Sequence, residues 1–155
     1  MRTFKDTAGR TWSLSLNILN AKKLRDTLAI DLFDENVGET IARLSGDPVL
    51  LADVLFLIVK DEADAKGISD EDFGSALGGD VITTATESFL EELVDFYPEK
   101  KRAILQGLLV KINQAEERLM EETIEMIGSE AMDRFIEEQI TEMKSRLDSS
   151  GSKSS

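Results

Sequence analysis

Neither cysteine nor histidine occurs anywhere in the 155 residues, and the two absences together remove most of the side chains that proteins use for covalent and proton-transfer chemistry. Without cysteine there is no disulfide, no thiolate ligand and no thiol nucleophile. Without histidine the commonest metal ligand and general base is gone, and the serines and threonines have no imidazole to activate them. An enzyme is not expected, nor is a bound metal or cofactor. No apolar run approaches the ~18 residues needed to span a bilayer, and the N-terminus lacks the uncharged apolar core of a signal peptide. Those two absences predict a cytoplasmic protein with no membrane partner. Proline is scarce as well: the two present, Pro48 and Pro98, punctuate helices.

What is present is ordinary for a folded chain, with 41% hydrophobic and 32% charged residues. At this length one domain is expected, large enough to bury a core. The net charge of -13 is unevenly placed. Residues 1 to 30 hold Arg2, Lys5, Arg10, Lys22, Lys23 and Arg25 against Asp6 and Asp26, leaving +4, so the remainder carries -17. An acidic body repels phosphate backbones, and nucleic acid is not expected as a partner.

The pattern of the chain predicts a mainly α fold: a helical domain with a small N-terminal β-hairpin and long C-terminal helices. The hairpin joins Thr3–Lys5 to Thr11–Ile18 around Asp6-Thr7-Ala8-Gly9, with Trp12, Leu14, Leu16 and Ile18 alternating with polar residues. Two strands alone are marginal in water, so Phe4, Trp12 and Leu14 or Leu16 are expected to cover one end of the helical core. Asn20 is placed to cap a helix over Ala21–Ile30, and Gly38–Leu44 is ambiguous. Asp47-Pro48 opens a helix to Lys66 that is apolar on most sides, the expected central element, and Gly67 ends it. Ser69-Asp70-Glu71-Asp72 reads as a capping box for a short helix through Leu77. Asp80 is placed to cap the next helix, which runs to Tyr97, and Pro98 marks a boundary before a helix to Ile127. Gly128-Ser129 breaks the chain, Ser129 capping a last helix to Leu147. These elements imply residues 1–98 as hairpin plus helical core, 99–147 as long C-terminal helices of the same domain, and 148–155 as a disordered polar tail.

Three patterns resemble chemical sites and fail on spacing. Asp34-Glu35-Asn36-Val37-Gly38 and Asp70-Glu71-Asp72-Phe73-Gly74 suggest calcium loops, but glycine falls one position early and the twelfth positions are Ser45 and Val81, where a bidentate glutamate belongs. Gly78-Gly79-Asp80 has no P-loop lysine and places a carboxylate where a phosphate would sit. The pairs Glu91-Glu92, Glu116-Glu117, Glu121-Glu122 and Glu137-Glu138 lie between apolar helical positions, which predicts solvent-facing charge rather than acid–base catalysis.

The sharper signal is C-terminal. Apart from Met1, every methionine lies there: Met120, Met126, Met132 and Met143. On the last helix Met132, Ile136, Ile140, Met143 and Leu147 fall at spacings of 4, 4, 3 and 4, a narrow stripe with Phe135 beside it and Glu137, Glu138, Glu142, Lys144 and Arg146 on its flanks. Methionine is flexible and polarizable, which suits a surface that must fit irregular apolar partners. Three fates are open to such a seam: the chain's own core, a homo-oligomer interface, or a foreign helix. The six residues Met132, Phe135, Ile136, Ile140, Met143 and Leu147 are the candidate partner-binding set.

Between residues 4 and 98 the motifs Phe4-Lys5-Asp6 with Gly9-Arg10 and Trp12, Phe73 with Leu77-Gly78-Gly79-Asp80, and Asp95-Phe96-Tyr97-Pro98 resemble those of phage and prophage tail assembly chaperones. That resemblance implies a mostly helical protein of the host cell cytoplasm, absent from the finished tail. It implies a protein client, the amphipathic helical segments of a tape-measure protein, and delivery of that client to tail-tube subunits. It carries no catalytic residue, and the helices beyond Pro98 lie outside it. The expectation is a non-enzymatic binding protein that shields hydrophobic helical segments. The alternative is a small structural subunit assembling through the hairpin and the C-terminal helices.

Overall fold

The computed structural model describes residues 1–151. Among them the chain is mainly α-helical with one N-terminal antiparallel hairpin, and it divides into two compact units, Met1–Leu109 and Val110–Ser155. The division falls inside one helix, eleven residues beyond Pro98 and two beyond Gly107.

In the first unit β1 (Arg2–Lys5) pairs with β2 (Thr11–Leu14) in the register Phe4↔Trp12 and Thr3↔Ser13. The strand stops at Leu14, four residues earlier than the alternation predicts. Asn17 accepts a hydrogen bond from the Asn20 amide at 2.9 Å, and the Asn20 side chain donates to the Ser15 carbonyl at 2.7 Å. These local side-chain bonds divert the backbone from the ladder. Helix α1 (Ile18–Leu28) therefore starts three residues before the expected position, with Asn17 rather than Asn20 as its cap, and Ile18 is exposed instead of joining the apolar face. Its end is unusual: Ala29 takes a left-handed conformation at φ 54° and closes the last turn by donating to Arg25.

The ambiguous Gly38–Leu44 segment is helical, within α2 (Val37–Gly46). A Cβ added at Gly38 would lie 3.2 Å from Leu108, so glycine admits the close approach of that leucine. Helix α3 (Pro48–Lys66) starts and stops where Asp47-Pro48 and Gly67 predict; Asp47 accepts from the Leu50 amide at 3.0 Å and Gly67 is left-handed. It buries Leu51, Val54, Leu55, Val59 and Ala63, and it touches β2, α1, α2, α4 (Asp70–Ser75) and α5 (Asp80–Phe96), which makes it the hub of the unit. Ser69 caps α4, accepting from the Asp72 amide. That helix ends at Ser75 rather than Leu77, and the Ala76 carbonyl is taken by the Thr7 amide of the hairpin turn at 3.0 Å. Gly79, not Asp80, occupies the cap of α5; Asp80 stands in the first turn, where its charge complements the helix dipole.

The hairpin closes this core. Trp12 is fully buried, and Phe4, Leu14 and Leu16 are buried with it. Phe73 of α4 is the meeting point: Trp12 lies edge-on at 5.2 Å between ring centroids, Phe56 of α3 at 5.4 Å and Phe4 at 6.4 Å. Lys66 sits over the indole at 4.5 Å while its ammonium also donates to the Thr11 carbonyl and pairs with Glu62. Arg2 bridges to Glu91 and Asp95 on α5, so one of the N-terminal cations is neutralised by the acidic body. A second aromatic group, Phe33, Phe96 and Tyr97, fastens the α5 C-terminus, where the buried Tyr97 hydroxyl donates to the Leu32 carbonyl. Burial first, and the Asp31 charge second, push the Tyr97 phenol up to about 12.

Beneath the hairpin turn, the Asp6 carboxylate is excluded from solvent. It accepts from the Ala8 and Arg10 amides, from the Arg10 guanidinium at 2.8 Å and from the Trp12 indole N–H at 2.9 Å. Burial opposes its ionisation, but the hydrogen bonds from Trp12 and Arg10 with the Arg10 charge outweigh that penalty, and its pKa lies below the ordinary 3.8.

Two measurements check this core. Trp12→Ala should lower unfolding free energy by about 3–5 kcal/mol in chemical denaturation, the range for a fully buried large aromatic. Because the Asp6 pKa is depressed on folding, its contribution is complete above the ordinary aspartate value and is lost as pH falls through the folded value. Asp6→Asn should therefore be less stable than the wild type at neutral pH, with the gap closing below pH 3.8; a gap constant with pH would show that folding leaves the Asp6 pKa unshifted.

Candidate partner-binding surface

The second unit contains the C-terminal part of α6 (Glu99–Ile127) and α7 (Glu130–Gly151). Between them Gly128 donates to the Ile124 carbonyl at 3.0 Å, so the helical ladder runs up to the break. Ser129 then caps α7 as its sequence predicts, accepting from the Met132 amide at 3.3 Å while its hydroxyl donates to the Met126 carbonyl. Local pairs support the helix: Glu130 with Arg134 at 3.8 Å and Glu142 with Arg146 at 2.6 Å. Helix α7 continues to Gly151, so 148–151 of the expected disordered tail are helical; 152–155 lie outside the described residues.

All six candidate residues stand on α7. Met132, Ile136, Ile140, Met143 and Leu147 share an arc of about 80° at 100° per residue, and Phe135 lies about 60° outside it. Phe135, Ile136, Ile140, Met143 and Leu147 are between 43% and 70% exposed, Met132 is half-buried, and none is buried within the chain. The seam is not part of the molecule's own core. No residue from Val110 to Gly151 is buried, and the α6 end adds Leu119, Met120, Ile124, Met126 and Ile127 to the exposed apolar set. The methionine spacing does not single out Leu119, Ile124 and Ile127, each of which alone is an ordinary core-type residue. Isolated apolar side chains on a surface are common, but the exposed stripe of α7, with further exposed apolar residues on the α6 end, is the kind of surface that marks a candidate interaction site.

The other chemical candidates resolve as structure. Asp31 and Asp34 each accept from the amide two residues on, those of Phe33 and Asn36, so these carboxylates hold turns. Among the described residues no group of three or more acidic side chains is placed to hold a metal ion. Glu91 and Glu92 serve the hairpin: Glu91 pairs with Arg2, and Glu92, half-buried rather than solvent-facing, accepts from the Leu16 amide and pairs with the N-terminal ammonium. Glu116, Glu117, Glu121, Glu122, Glu137 and Glu138 face water. No helix among the described residues is long and apolar enough to cross a membrane.

Compared with known proteins, the chain matches no family model, no curated protein and no solved structure.

A helix with no buried residue is held mainly by its own hydrogen bonds and capping, without the packing of an amphipathic face that supplies most helical stability in proteins. In hydrogen exchange of the protein diluted to its monomer, amides of α7 should therefore exchange at least about 100-fold faster than those of α3. Equal protection in a monomer would mean that the seam is covered.

Proposed function

We propose that this chain is a non-enzymatic binding protein, a tail assembly chaperone of the phage or prophage type, that shields hydrophobic helical segments of a tape-measure-type client in the host cytoplasm and brings them to tail-tube subunits. The observation that carries the reading is the apolar seam of α7, exposed along Met132–Leu147 and rimmed by charge. An amphipathic client helix needs an apolar stripe to cover its own, and Met132 and Met143 give this surface the plasticity to fit side chains of varied shape. The acidic exterior keeps the complex soluble and favours clients with basic flanks. The resemblance of residues 4 to 98 supplies the class of client; the seam supplies the means of holding it.

The hairpin is poorly suited to the alternative of joining sheets between copies. On its outer edges Ser88 donates to the Thr3 carbonyl, Lys66 to the Thr11 carbonyl, and Glu62 accepts from the Ser13 amide. Side chains of α5 and α3 thus occupy backbone groups that an added strand would need.

The test uses the full chain and a synthetic amphipathic helix of about four heptads with leucines on its seam and lysines beside them. Binding measured by calorimetry should weaken at least about 30-fold in Ile136→Asp and in Ile140→Asp, as for central interface positions, with Trp12 fluorescence unchanged. Undiminished binding by both variants would remove the reading.

A further inference from the structure

The flanks of the α7 seam carry charge in an order that specifies a partner. From Glu130 to Glu142 the helix holds Glu130, Asp133, Glu137, Glu138 and Glu142 against Arg134 alone, a net of -4; from Met143 to Gly151 it holds Lys144 and Arg146 against Asp148, a net of +1. The helix is acidic at its start and basic towards its end. Within the seam, Ile136, Ile140, Met143 and Leu147 follow the alternating 4, 3, 4 spacing of a heptad, which places Glu137 and Lys144 along one edge and Gln139 and Arg146 along the other. Neither Glu137 nor Lys144 has an ion-pair partner among the described residues, whereas the neighbouring Glu142 and Arg146 are paired.

Two such helices side by side in parallel would stack acidic halves together and set Gln139 against Lys144, with no opposite charges facing across the seam. Reversed, the same helices match throughout. With a two-fold axis passing between Thr141 and Glu142, Ile136 meets Leu147 of the second copy and Ile140 meets its Met143, so these four apolar residues all face one another. Glu137 then stands opposite the second copy's Lys144, and by symmetry the pair occurs twice; the two residues left unpaired in one chain complete each other in two. The dipoles of the helices also run in opposition, which favours this direction over the parallel one.

We propose that the seam of the free protein is covered by the α7 helix of a second copy, in an antiparallel, two-fold symmetric pair. This rests on the reading of the same seam as the client site and assigns its regulation: the second copy occupies the stripe until a client displaces it. An isologous contact closes at two subunits and leaves no free seam for further growth, so a chain that displays an apolar stripe is kept from polymerising. The contact is also short. Residues 132 to 147 span about 24 Å of helix, far less than a long coiled coil, which keeps the pair exchangeable. The apolar residues of the α6 end, Leu119, Met120, Ile124 and Ile127, lie outside it and remain for the client to meet first.

Sedimentation equilibrium of the full chain tests the pairing. The mass should rise with concentration from 17.2 kDa towards twice that value and stop there. Glu137→Lys and Lys144→Glu should each weaken the dimer about 10-fold or more, because each replaces two attractive contacts with two repulsive ones, and the double variant should recover to within about threefold of the wild type. Both positions are exposed, and unchanged Trp12 fluorescence will show that the first unit is intact. Direction is read by cross-linking, made clean by the absence of cysteine: a mixture of Ile136→Cys and Leu147→Cys chains should form the mixed disulfide, whereas Ile136→Cys alone should not. A wild type that stays monomeric at its highest soluble concentration, a double variant no better than the singles, or ready self-linking of Ile136→Cys would each overturn the proposal. A monomeric wild type that still binds the leucine-seamed helix would remove the dimer and leave the client reading standing. A dimer that the helix never dissociates would do the reverse.

Discussion

The first unit is organised around one buried carboxylate. Asp6 sits where the hairpin turns, and its two oxygens receive the backbone of the turn, the Arg10 guanidinium and the Trp12 indole. A charge in that position is costly unless each of its lone pairs is met, and here they are met by groups that have no other buried partner. The consequence is geometric. With the indole N–H satisfied, Trp12 can be sunk completely against Phe73, and with Phe73 fixed, Phe4 and Phe56 are fixed around it. The small hairpin is thus the lid of the helical core, and it is anchored by acid–base pairs to α5 and by Lys66 to α3.

The second unit is built on the opposite principle. Its helices have caps, internal ion pairs and a well-formed apolar stripe, yet they bury none of that stripe. A segment with so much unburied apolar surface gains most by association, and the free energy left unused in folding is what a partner can draw on. Stability and availability are therefore assigned to different stretches of the chain, with the division inside a helix rather than at a loop.

Much of this was legible in the residues. The bounds of α3 follow from Asp47-Pro48 and Gly67, and the α7 stripe follows from spacing, because both are local signals. The end of β2 was not legible: Leu16 and Ile18 continue a perfect alternation, and only the side-chain bonds of Asn17 and Asn20 show that the ladder stops at Leu14. The role of Asp6 was hidden for a different reason, since an aspartate before a turn glycine looks like any surface turn residue until Trp12 and Arg10 are seen to converge on it. Nor could periodicity reveal whether the α7 stripe is covered, since a core helix and a docking helix share one pattern and differ only in what lies opposite.

The fenced edges of the hairpin have a bearing on how this molecule behaves in a crowded cell. A newly made or damaged polypeptide that seeks β pairing finds the outward carbonyls of Thr3 and Thr11 already engaged. In the proposed function, a helix with a greasy side would meet the exposed strip along α7. On that reading adhesiveness would be filtered by backbone shape, open to helical segments and closed to extended ones at these carbonyls.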